Sequence, residues 1–336
     1  MDLKVGVIGS GYWGKNLVRN FAELQALRII CDTKEENLEA QAQLYPDIHV
    51  TSEMEDVLAN SDVQAVVIAT PATLHYSHVK AALLSGKHVF VEKPLSLKYR
   101  EGLELVNLAD RRDLTLMVGH ILEYHGAVIA LKEMVESQEL GQLLYLYSNR
   151  ANLGKVRQEE NILWSFAPHD VSVLSTLIGE EPISVASSGA SYLQPDIVDI
   201  TVTTLSFPQG IRAHIFVSWL HPYKEHKMVV IGDRKMAVFN DTVSEGKLKI
   251  YDKGIEWEAG LPVPREAAET NLSFDQKEPL RAECEHFLEC ISKKKRPLTD
   301  GRSALRVVRV LEAAQMSLER EGVPVRLDEI NAGVSS

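Results

Sequence analysis

The chain has 336 residues, of which 45% are hydrophobic and 25% are charged, and its formal net charge is −11 at pH 7. This length predicts two domains, and the negative charge argues against nucleic acid as the main partner, because a phosphate backbone needs a basic face. The chain begins with a strand pattern, contains no apolar run that could span a bilayer, and has three cysteines without metal-like spacing. We therefore expect a cytoplasmic protein with no metal ion and no membrane contact.

The first 120 residues alternate between strand and helix patterns. Strands are predicted at residues 3–8, 27–31, 49–51, 65–69, 87–91 and 115–118, and helices at 15–23, 35–44, 54–59, 78–84 and 100–111. The fourth strand, Ala65 to Ala69, is a continuous apolar run, which is typical of a strand covered on both faces. Such alternation predicts a doubly wound parallel sheet with helices on both sides.

A glycine-rich loop lies between the first strand and the first helix. It reads Gly9-Ser10-Gly11-Tyr12-Trp13-Gly14, a G-x-G-x-x-G in the strand–loop–helix context that dinucleotide binding requires. The first glycine permits the tight turn, the second lets backbone approach a pyrophosphate, and the third lets helix and strand pack closely. The helix N-terminus then offers free N–H groups to the phosphates. We expect this loop to bind a dinucleotide.

Asp32 follows the second predicted strand, 18 residues beyond Gly14. A carboxylate there accepts hydrogen bonds from the adenine ribose and repels a 2′-phosphate, which favours NAD over NADP. Lys34 lies close enough to weaken that repulsion. The structural alternative is that Asp32 caps the following helix.

The segment Phe90-Val91-Glu92-Lys93-Pro94-Leu95 places a lysine where a buried strand ends at a proline. Proline restricts the residue before it to extended geometry, so Lys93 has little backbone freedom. Taken alone, the pattern also fits a surface lysine in an ordinary turn.

Two segments, Ala69-Thr70-Pro71-Ala72-Thr73-Leu74-His75 and Gly86-Lys87-His88-Val89-Phe90-Val91-Glu92-Lys93-Pro94, resemble the Gfo/Idh/MocA family of oxidoreductases, and the similarity runs through nearly the whole chain. The resemblance implies a Rossmann domain followed by an α+β domain with a large open, mainly antiparallel sheet. It implies that members oxidise or reduce one carbinol of a sugar or cyclitol with NAD or NADP. It further implies an active-site Lys93 with a cis bond to Pro94, a cofactor channel lined by Thr70, Pro71 and His75, and a nicotinamide ribose fixed by Glu92.

After residue 120 the strand patterns adjoin one another without helices between them. They cover residues 143–148, 198–207, 211–218, 227–231 and 235–240, and such runs predict an antiparallel sheet. We divide the chain into an NAD-binding domain, 1–120, and a substrate-binding and oligomerisation domain, 121–336. The resemblance implies that one sheet face is buried between subunits, so we expect a homodimer or homotetramer.

In this second domain His169, within Trp164-Ser165-Phe166-Ala167-Pro168-His169-Asp170, matches the catalytic histidine of the family. Oxidation of an alcohol requires loss of the hydroxyl proton, and imidazole titrates near neutral pH. The structural alternative is a histidine packed in the core. Many relatives carry an aspartate four residues earlier, where this chain has Ser165, so a proton relay through that aspartate is unavailable. We expect His169 to be the base and Lys93 to polarise the hydroxyl, although a partly buried Lys93 beside a positive nicotinamide is an alternative base.

The loop after residue 147, together with the histidine segment, resembles the branch of the family that acts on nucleotide-linked amino sugars, in particular the UDP-N-acetylglucosamine 3-dehydrogenases. Cationic Arg150, Lys155 and Arg157 suit a sugar diphosphate, and Asn152 and Tyr124 are candidates to bind the sugar. A solvated basic loop is the alternative.

The resemblance implies NAD-dependent oxidation at C3 of UDP-N-acetylglucosamine, with a downstream aminotransferase that makes a 3-amino sugar for cell-surface glycans such as lipopolysaccharide. Alternatives are the same reaction on the corresponding uronic acid, reduction of a 3-keto deoxysugar nucleotide, and oxidation of a free sugar or cyclitol. A non-catalytic NAD-binding sensor belongs to a different class, but such a protein has no need of Lys93 and His169.

Overall fold

A computed structural model describes residues 3–154, 156–265 and 267–332, with the side chains of residues 331 and 332 left out. The chain divides into two compact units. The first comprises the chain up to Tyr124 together with residues 277–308, and the second comprises residues 125–276 and the chain from Arg309 onward. In the part of the chain that is described, no helix has the length and apolar character needed to cross a membrane.

The first unit contains a six-stranded parallel sheet. Its strands are β1 (Val5–Ile8), β2 (Leu27–Cys31), β3 (His49–Thr51), β4 (Ala65–Ile68), β5 (His88–Glu92) and β6 (Leu116–Gly119). The helices between them are α1 (Gly14–Glu23), α2 (Glu35–Leu44), α3 (Met54–Ala59), α4 (Ala72–Leu84) and α5 (Tyr99–Arg111). The strand order β3-β2-β1-β4-β5-β6 is that of a Rossmann fold, and it reverses between β1 and β4. Such sheets bind ligands at the carboxyl ends of their strands, beside this reversal.

The predicted strands and helices of this unit are confirmed with small shifts at their ends. The largest difference is in α4, which begins at Ala72 and not at His78. Pro71 is its N-cap residue, so the helix starts directly after the proline, six residues earlier than predicted.

The second unit contains a nine-stranded sheet and a separate hairpin. After a 3-10 turn at Ile121–Tyr124, its elements are α6 (Gly126–Glu136), β7 (Leu143–Ala151), α7 (Ile162–Ile178), β8 (Ser184–Ala190), β9 (Ile200–Ser206), a 3-10 turn at Pro208–Gly210, β10 (Arg212–Ser218), β11 (Glu225–Gly232), β12 (Met236–Asn240), β13 (Leu248–Tyr251), β14 (Gly254–Glu258), β15 (Leu261–Arg265) and β16 (Glu269–Asn271). All pairings in the large sheet are antiparallel except that of β7 with β10, which confirms a mainly antiparallel sheet. Strands β8, β13, β14, β15 and β16 were not predicted, because β8 consists mainly of Ser, Ala and Gly and the other four have at most five residues.

The C-terminal part of the chain contributes to both units. Helix α8 (Pro279–Lys293) belongs to the first unit, where the ring of Phe287 lies 6.5 Å from that of Phe21 and 5.7 Å from that of Phe90. Helix α9 (Gly301–Glu319) belongs to the first unit up to Val308 and to the second from Arg309, and the second unit also contains β17 (Val325–Arg326) and α10 (Leu327–Ala332). The observed division therefore differs from the predicted contiguous second domain of 121–336. Helix α8 belongs to the first unit because Phe287 packs against the aromatic residues of that unit.

Candidate active site

The glycine-rich loop has the geometry that a dinucleotide requires. Gly9 has a φ of +91°, and a Cβ at this position would lie 2.9 Å from the backbone carbonyl of Ala69. A Cβ at Gly14 would lie 2.0 Å from the carbonyl oxygen of Gly9. Around Gly11, by contrast, the nearest atom to a Cβ would be Nδ2 of Asn37, at 3.9 Å. A side chain at Gly9 or Gly14 would therefore clash with backbone atoms, whereas Gly11 borders open space in which a pyrophosphate fits.

Asp32 is held at the carboxyl end of β2 by three hydrogen bonds. Its Oδ2 accepts from the backbone N–H of Ser10 at 2.7 Å and from the Ser10 hydroxyl at 3.1 Å, and its Oδ1 accepts from the N–H of Lys34 at 2.9 Å. The N-cap position of α2 is Lys34, so Asp32 does not cap that helix. Oδ1 accepts only one of these hydrogen bonds and can accept another, so the residue fits a ribose-binding role.

Trp13 connects the glycine loop to the segment that contains Lys93. Its Nε1 donates a 2.6 Å hydrogen bond to Oε1 of Glu92. Burial raises the pKa of Glu92 to about 7, and the hydrogen bond from Trp13 and the charge of Lys93 act in the opposite direction. Tyr12, next to Trp13, is 79% exposed.

The bond between Lys93 and Pro94 is cis, as predicted. His75 lies directly behind it: Nδ1 is 2.6 Å from the carbonyl oxygen of Pro94, and Nε2 is 2.8 Å from the carbonyl oxygen of Thr70. His75 is only 1% exposed, and burial lowers its pKa. The imidazole therefore ties the end of β4 to the lysine turn.

Thr70 and Pro71, both predicted to line the cofactor channel, directly precede α4. The Thr70 hydroxyl is 3.2 Å from Nδ1 of His78, and Pro71 is exposed at the N-cap position of the helix. Both lie just beyond the carboxyl end of β4, at the sheet edge where the glycine loop begins. A cofactor-lining role for them and for His75 stays a prediction.

Two buried titratable groups in this unit escaped sequence analysis. Glu283 on α8 is fully buried, and neither of its carboxylate oxygens has a hydrogen-bond partner among the described residues. Burial, reinforced by the charge of Glu92, raises the pKa of Glu283 well above its ordinary value. Its signal in the sequence is a carboxylate on the helix face that carries Leu280, Cys284 and Phe287.

The second buried group is His120, directly after β6. It is 2% exposed, and its ring nitrogens find no hydrogen-bond partner within the described ranges. Burial, with a smaller contribution from the charge of Lys93, lowers the pKa of His120 to about 3. The imidazole is therefore neutral at physiological pH and adds no positive charge beside Lys93.

In the second unit, His169 lies on α7 beside a buried ion pair. The neighbouring Asp170 accepts hydrogen bonds from Arg150 Nε at 2.8 Å and Nη2 at 3.1 Å, and from the Ser148 hydroxyl at 2.6 Å. The Asp170 side chain is 1% exposed and that of Arg150 is 13% exposed. Asn161 caps the helix, its side chain accepting from the N–H of Trp164. The N-cap at Asn161 and the hydrogen bonds of Asp170 thus stabilise the part of α7 that carries His169.

The residues predicted to bind substrate fall into different environments. The charge of Arg150 is matched by Asp170, so this side chain has less to offer a diphosphate than the sequence suggests. Arg157 is 3.6 Å from Glu160 and 40% exposed, which leaves it accessible to an anion. Tyr124 is 7% exposed in the first unit, and its hydroxyl is 3.3 Å from that of Thr299, so its environment favours packing over substrate contact. Lys155 lies outside the described residues.

Each unit contains residues that are candidates for the chemistry of an alcohol oxidation. The first unit combines an open glycine loop, a ribose-type carboxylate and the Lys93 ammonium at one edge of the parallel sheet. These residues fit a nicotinamide dinucleotide, because the loop leaves room for its phosphates. The second unit contributes the imidazole of His169, whose neutral form can accept a proton.

Comparison with known proteins agrees with this chemistry. Residues 3–120 match the sequence model described as oxidoreductase family, NAD-binding Rossmann fold, and residues 128–238 match the GFO/IDH/MocA C-terminal domain. The UDP-N-acetylglucosamine 3-dehydrogenase of Acidithiobacillus ferrooxidans is 26% identical, over 95% of this chain and 98% of its own. Its solved structure, GnnA, superposes with a TM-score of 0.81 at 25% identity, over 95% of this chain and 98% of that chain.

A second relative shows the breadth of the group. The D-xylose 1-dehydrogenase [NADP(+)] of Haloarcula marismortui is 22% identical, over 97% of this chain and 93% of its own. Relatives of comparable length thus differ in named substrate, and one of them is named with NADP. The two matched domains together cover more than half of the chain, which belongs to the Gfo/Idh/MocA family of NAD-binding oxidoreductases.

Proposed function

We propose that this protein is an NAD-dependent dehydrogenase that oxidises the C3 hydroxyl of UDP-N-acetylglucosamine to the 3-keto sugar. The observation that carries the proposal is the similarity to the A. ferrooxidans UDP-N-acetylglucosamine 3-dehydrogenase along 95% of the chain. The lysine after β5 and the histidine in α7 supply the acid–base groups for such a reaction.

The reaction removes a hydride and a proton from one carbinol. A bound NAD would supply the acceptor for the hydride that leaves the carbon. His169 takes the hydroxyl proton, and the ammonium group of Lys93 donates a hydrogen bond to the same oxygen and stabilises the negative charge that develops there. The carbon–oxygen bond becomes a carbonyl, and His169 then releases its proton to solvent. The 3-keto product is the substrate type that an aminotransferase converts to a 3-amino sugar, which is the partner that we expect for cell-surface glycan synthesis.

The preference for NAD over NADP is part of the proposal and depends on Asp32. Asp32 is 8% exposed and its carboxylate already accepts three hydrogen bonds from the protein, so it stays in place without a ligand. A fixed negative charge at this position disfavours a 2′-phosphate more than a mobile one does.

Self-association is proposed through the open face of the nine-stranded sheet. This face carries Tyr145, Tyr147, His214 and Phe216 on the adjacent strands β7 and β10, and Val202 on β9. The rings of Tyr147 and His214 stack at 5.0 Å, and Val202 is 42% exposed. Light scattering is expected to give the mass of a homodimer or homotetramer, and Phe216→Asp should lower it; a wild-type monomer contradicts the proposal.

The central experiment mixes protein with NAD or NADP and a panel of sugars, and follows the fluorescence of the reduced cofactor. UDP-N-acetylglucosamine with NAD should give the largest kcat/KM, and a coupled aminotransferase removes an unfavourable equilibrium. Preference for the uronic acid, for reduction of a 3-keto deoxysugar nucleotide, or for a free sugar or cyclitol would each reassign the substrate. NAD binding without turnover of any of them would indicate a sensor.

A further inference from the structure

A series of polar contacts in the second unit connects the buried ion pair of Arg150 and Asp170 to Asn152. Arg150 on β7 lies directly opposite His226 on β11 in the antiparallel register, so the two side chains share one face of the sheet. Arg150 Nη1 is 3.4 Å from Nδ1 of His226, and Nε2 of His226 is 3.4 Å from Oδ1 of Asn152. Together with the ion pair, these contacts connect Asp170, Arg150, His226 and Asn152 in series.

The direction of each hydrogen bond in this series is determined by its first member. A guanidinium group has only donors, and that of Arg150 is held by the carboxylate of Asp170. Nδ1 of His226 must therefore accept, so its proton lies on Nε2, which donates to Oδ1 of Asn152. Burial and the charge of Arg150 lower the pKa of His226 to about 4, so the imidazole is neutral at physiological pH, as this pattern requires.

The Asn152 amide is consequently oriented with its NH₂ group on the side away from His226. Nδ2 of Asn152 has no acceptor among the described residues and would lie 2.7 Å from a Cβ placed at Gly154. The same Cβ would lie 3.8 Å from Phe166, which precedes His169 by three residues on α7. The amide of Asn152 therefore lies near Phe166, which is one helical turn before His169 on α7.

We propose that Asn152 donates a hydrogen bond to the acyl carbonyl oxygen of an N-acylated sugar and that His226 is the positioning residue that presents it. The inference rests on the proposed function. A neutral amide suits a neutral carbonyl, whereas a diphosphate is better served by cationic donors such as Arg157. The acyl group at C2 is also the substituent next to the C3 hydroxyl whose proton His169 takes, which agrees with the proximity of Asn152 to Phe166, one helical turn before His169.

The test compares UDP-N-acetylglucosamine with UDP-glucose, which has a hydroxyl in place of the acylamino group. His226→Phe removes both hydrogen bonds, so KM for the N-acyl sugar should rise about fivefold to tenfold with kcat little changed, and KM for UDP-glucose should not change. Asn152→Ala should have the same effect, and the double variant should add little to it. His226→Gln should restore the preference, because its amide oxygen accepts from Arg150 and its nitrogen donates to Asn152.

The possible outcomes separate the inference from the proposed function. If the wild type oxidises UDP-N-acetylglucosamine but His226→Phe keeps the wild-type preference, or loses activity on both sugars equally, the inference is overturned and the function stands. If the wild type oxidises neither sugar, both fail. Nitrogen NMR of the imidazole, assigned by comparison with His226→Gln, gives a readout without substrate. Protonation of Nε2 at neutral pH supports the series, and protonation of Nδ1 overturns it.

Discussion

The indole Nε1 of Trp13 donates a 2.6 Å hydrogen bond to Oε1 of Glu92, which lies 79 residues further along the chain. Trp13 belongs to the loop proposed to hold the pyrophosphate, and Glu92 is the residue proposed to fix the nicotinamide ribose. The hydrogen bond thus joins the two parts of the proposed cofactor site within one unit. It also limits the rise in the pKa of Glu92 that burial causes.

Trp13→Phe removes this donor while it keeps most of the aromatic volume. The pKa of Glu92 should then rise further above about 7, so that a larger fraction of the carboxyl is protonated at neutral pH. We expect NAD to bind about fivefold more weakly at neutral pH, with part of the affinity recovered at higher pH. Calorimetric titration at several pH values measures this. Trp257→Phe, at a position 72% exposed in the hairpin of the second unit, is the matched control, and equal affinities for the two variants would contradict the role of Trp13.

Glu283→Gln should make the protein more stable at alkaline pH. The pKa of Glu283 is higher in the folded chain than its ordinary 4.5, so the folded state keeps a proton that the unfolded state loses. Stability is therefore lost progressively as pH rises above about 4.5, and a neutral amide removes this loss. Thermal unfolding should show a midpoint a few degrees above wild type near pH 8, and a difference that shrinks towards pH 4.5.

Glu285→Gln is the control for this measurement, because Glu285 lies on the same helix but its pKa is lowered, whereas that of Glu283 is raised. Hydrogen bonds from Lys277 and Arg281 lower the pKa of Glu285. Its contribution to stability is present above its ordinary pKa and lost as pH falls, so the amide should lower the midpoint slightly at neutral pH. A Glu283→Gln midpoint below wild type across the whole pH range would show that the carboxyl has an unrecognised favourable interaction.

Asp32→Ser should discriminate between the two cofactors. Loss of the carboxylate removes an acceptor for the adenine ribose, and it also removes the charge that repels a 2′-phosphate. We expect KM for NAD to rise about tenfold and KM for NADP to stay the same or fall. Asp47→Ser, at an exposed position, controls for the loss of a surface charge. Equal increases for both cofactors would refute the discriminating role of Asp32.

His169→Asn and Lys93→Met together identify the base. Removal of the base should lower kcat by about 10² to 10⁴, and it should abolish the limb of the pH–kcat/KM profile on which that group loses its proton. We expect this limb to vanish with His169→Asn and to persist, at lower activity, with Lys93→Met. His49→Asn, at an exposed position, is the control. A limb that vanishes only with Lys93→Met would assign the base to the lysine.

The cofactor half of this protein was predictable because its signals are local. The strand, the G-x-G-x-x-G and the helix that follows occupy fewer than twenty consecutive residues, and the glycines meet steric demands that the next few residues create. The lysine turn is equally local, since a proline after Lys93 acts on its immediate neighbour. Alternating patterns likewise revealed the parallel sheet, because strands that are covered on both faces must be apolar throughout.

The environment of most polar site residues depended on contacts that no local pattern contains. The sequence suggested that Arg150 is available to bind an anion, but its charge is matched by Asp170, which lies 20 residues later on another element. The donor that Asn152 presents depends on His226, 74 residues away. Glu283 is buried because α8 returns to the aromatic core of the first unit. Periodicity reports which face of an element is apolar, whereas the charge, tautomer and orientation of a polar group depend on its partners, and only the folded chain brings those partners together.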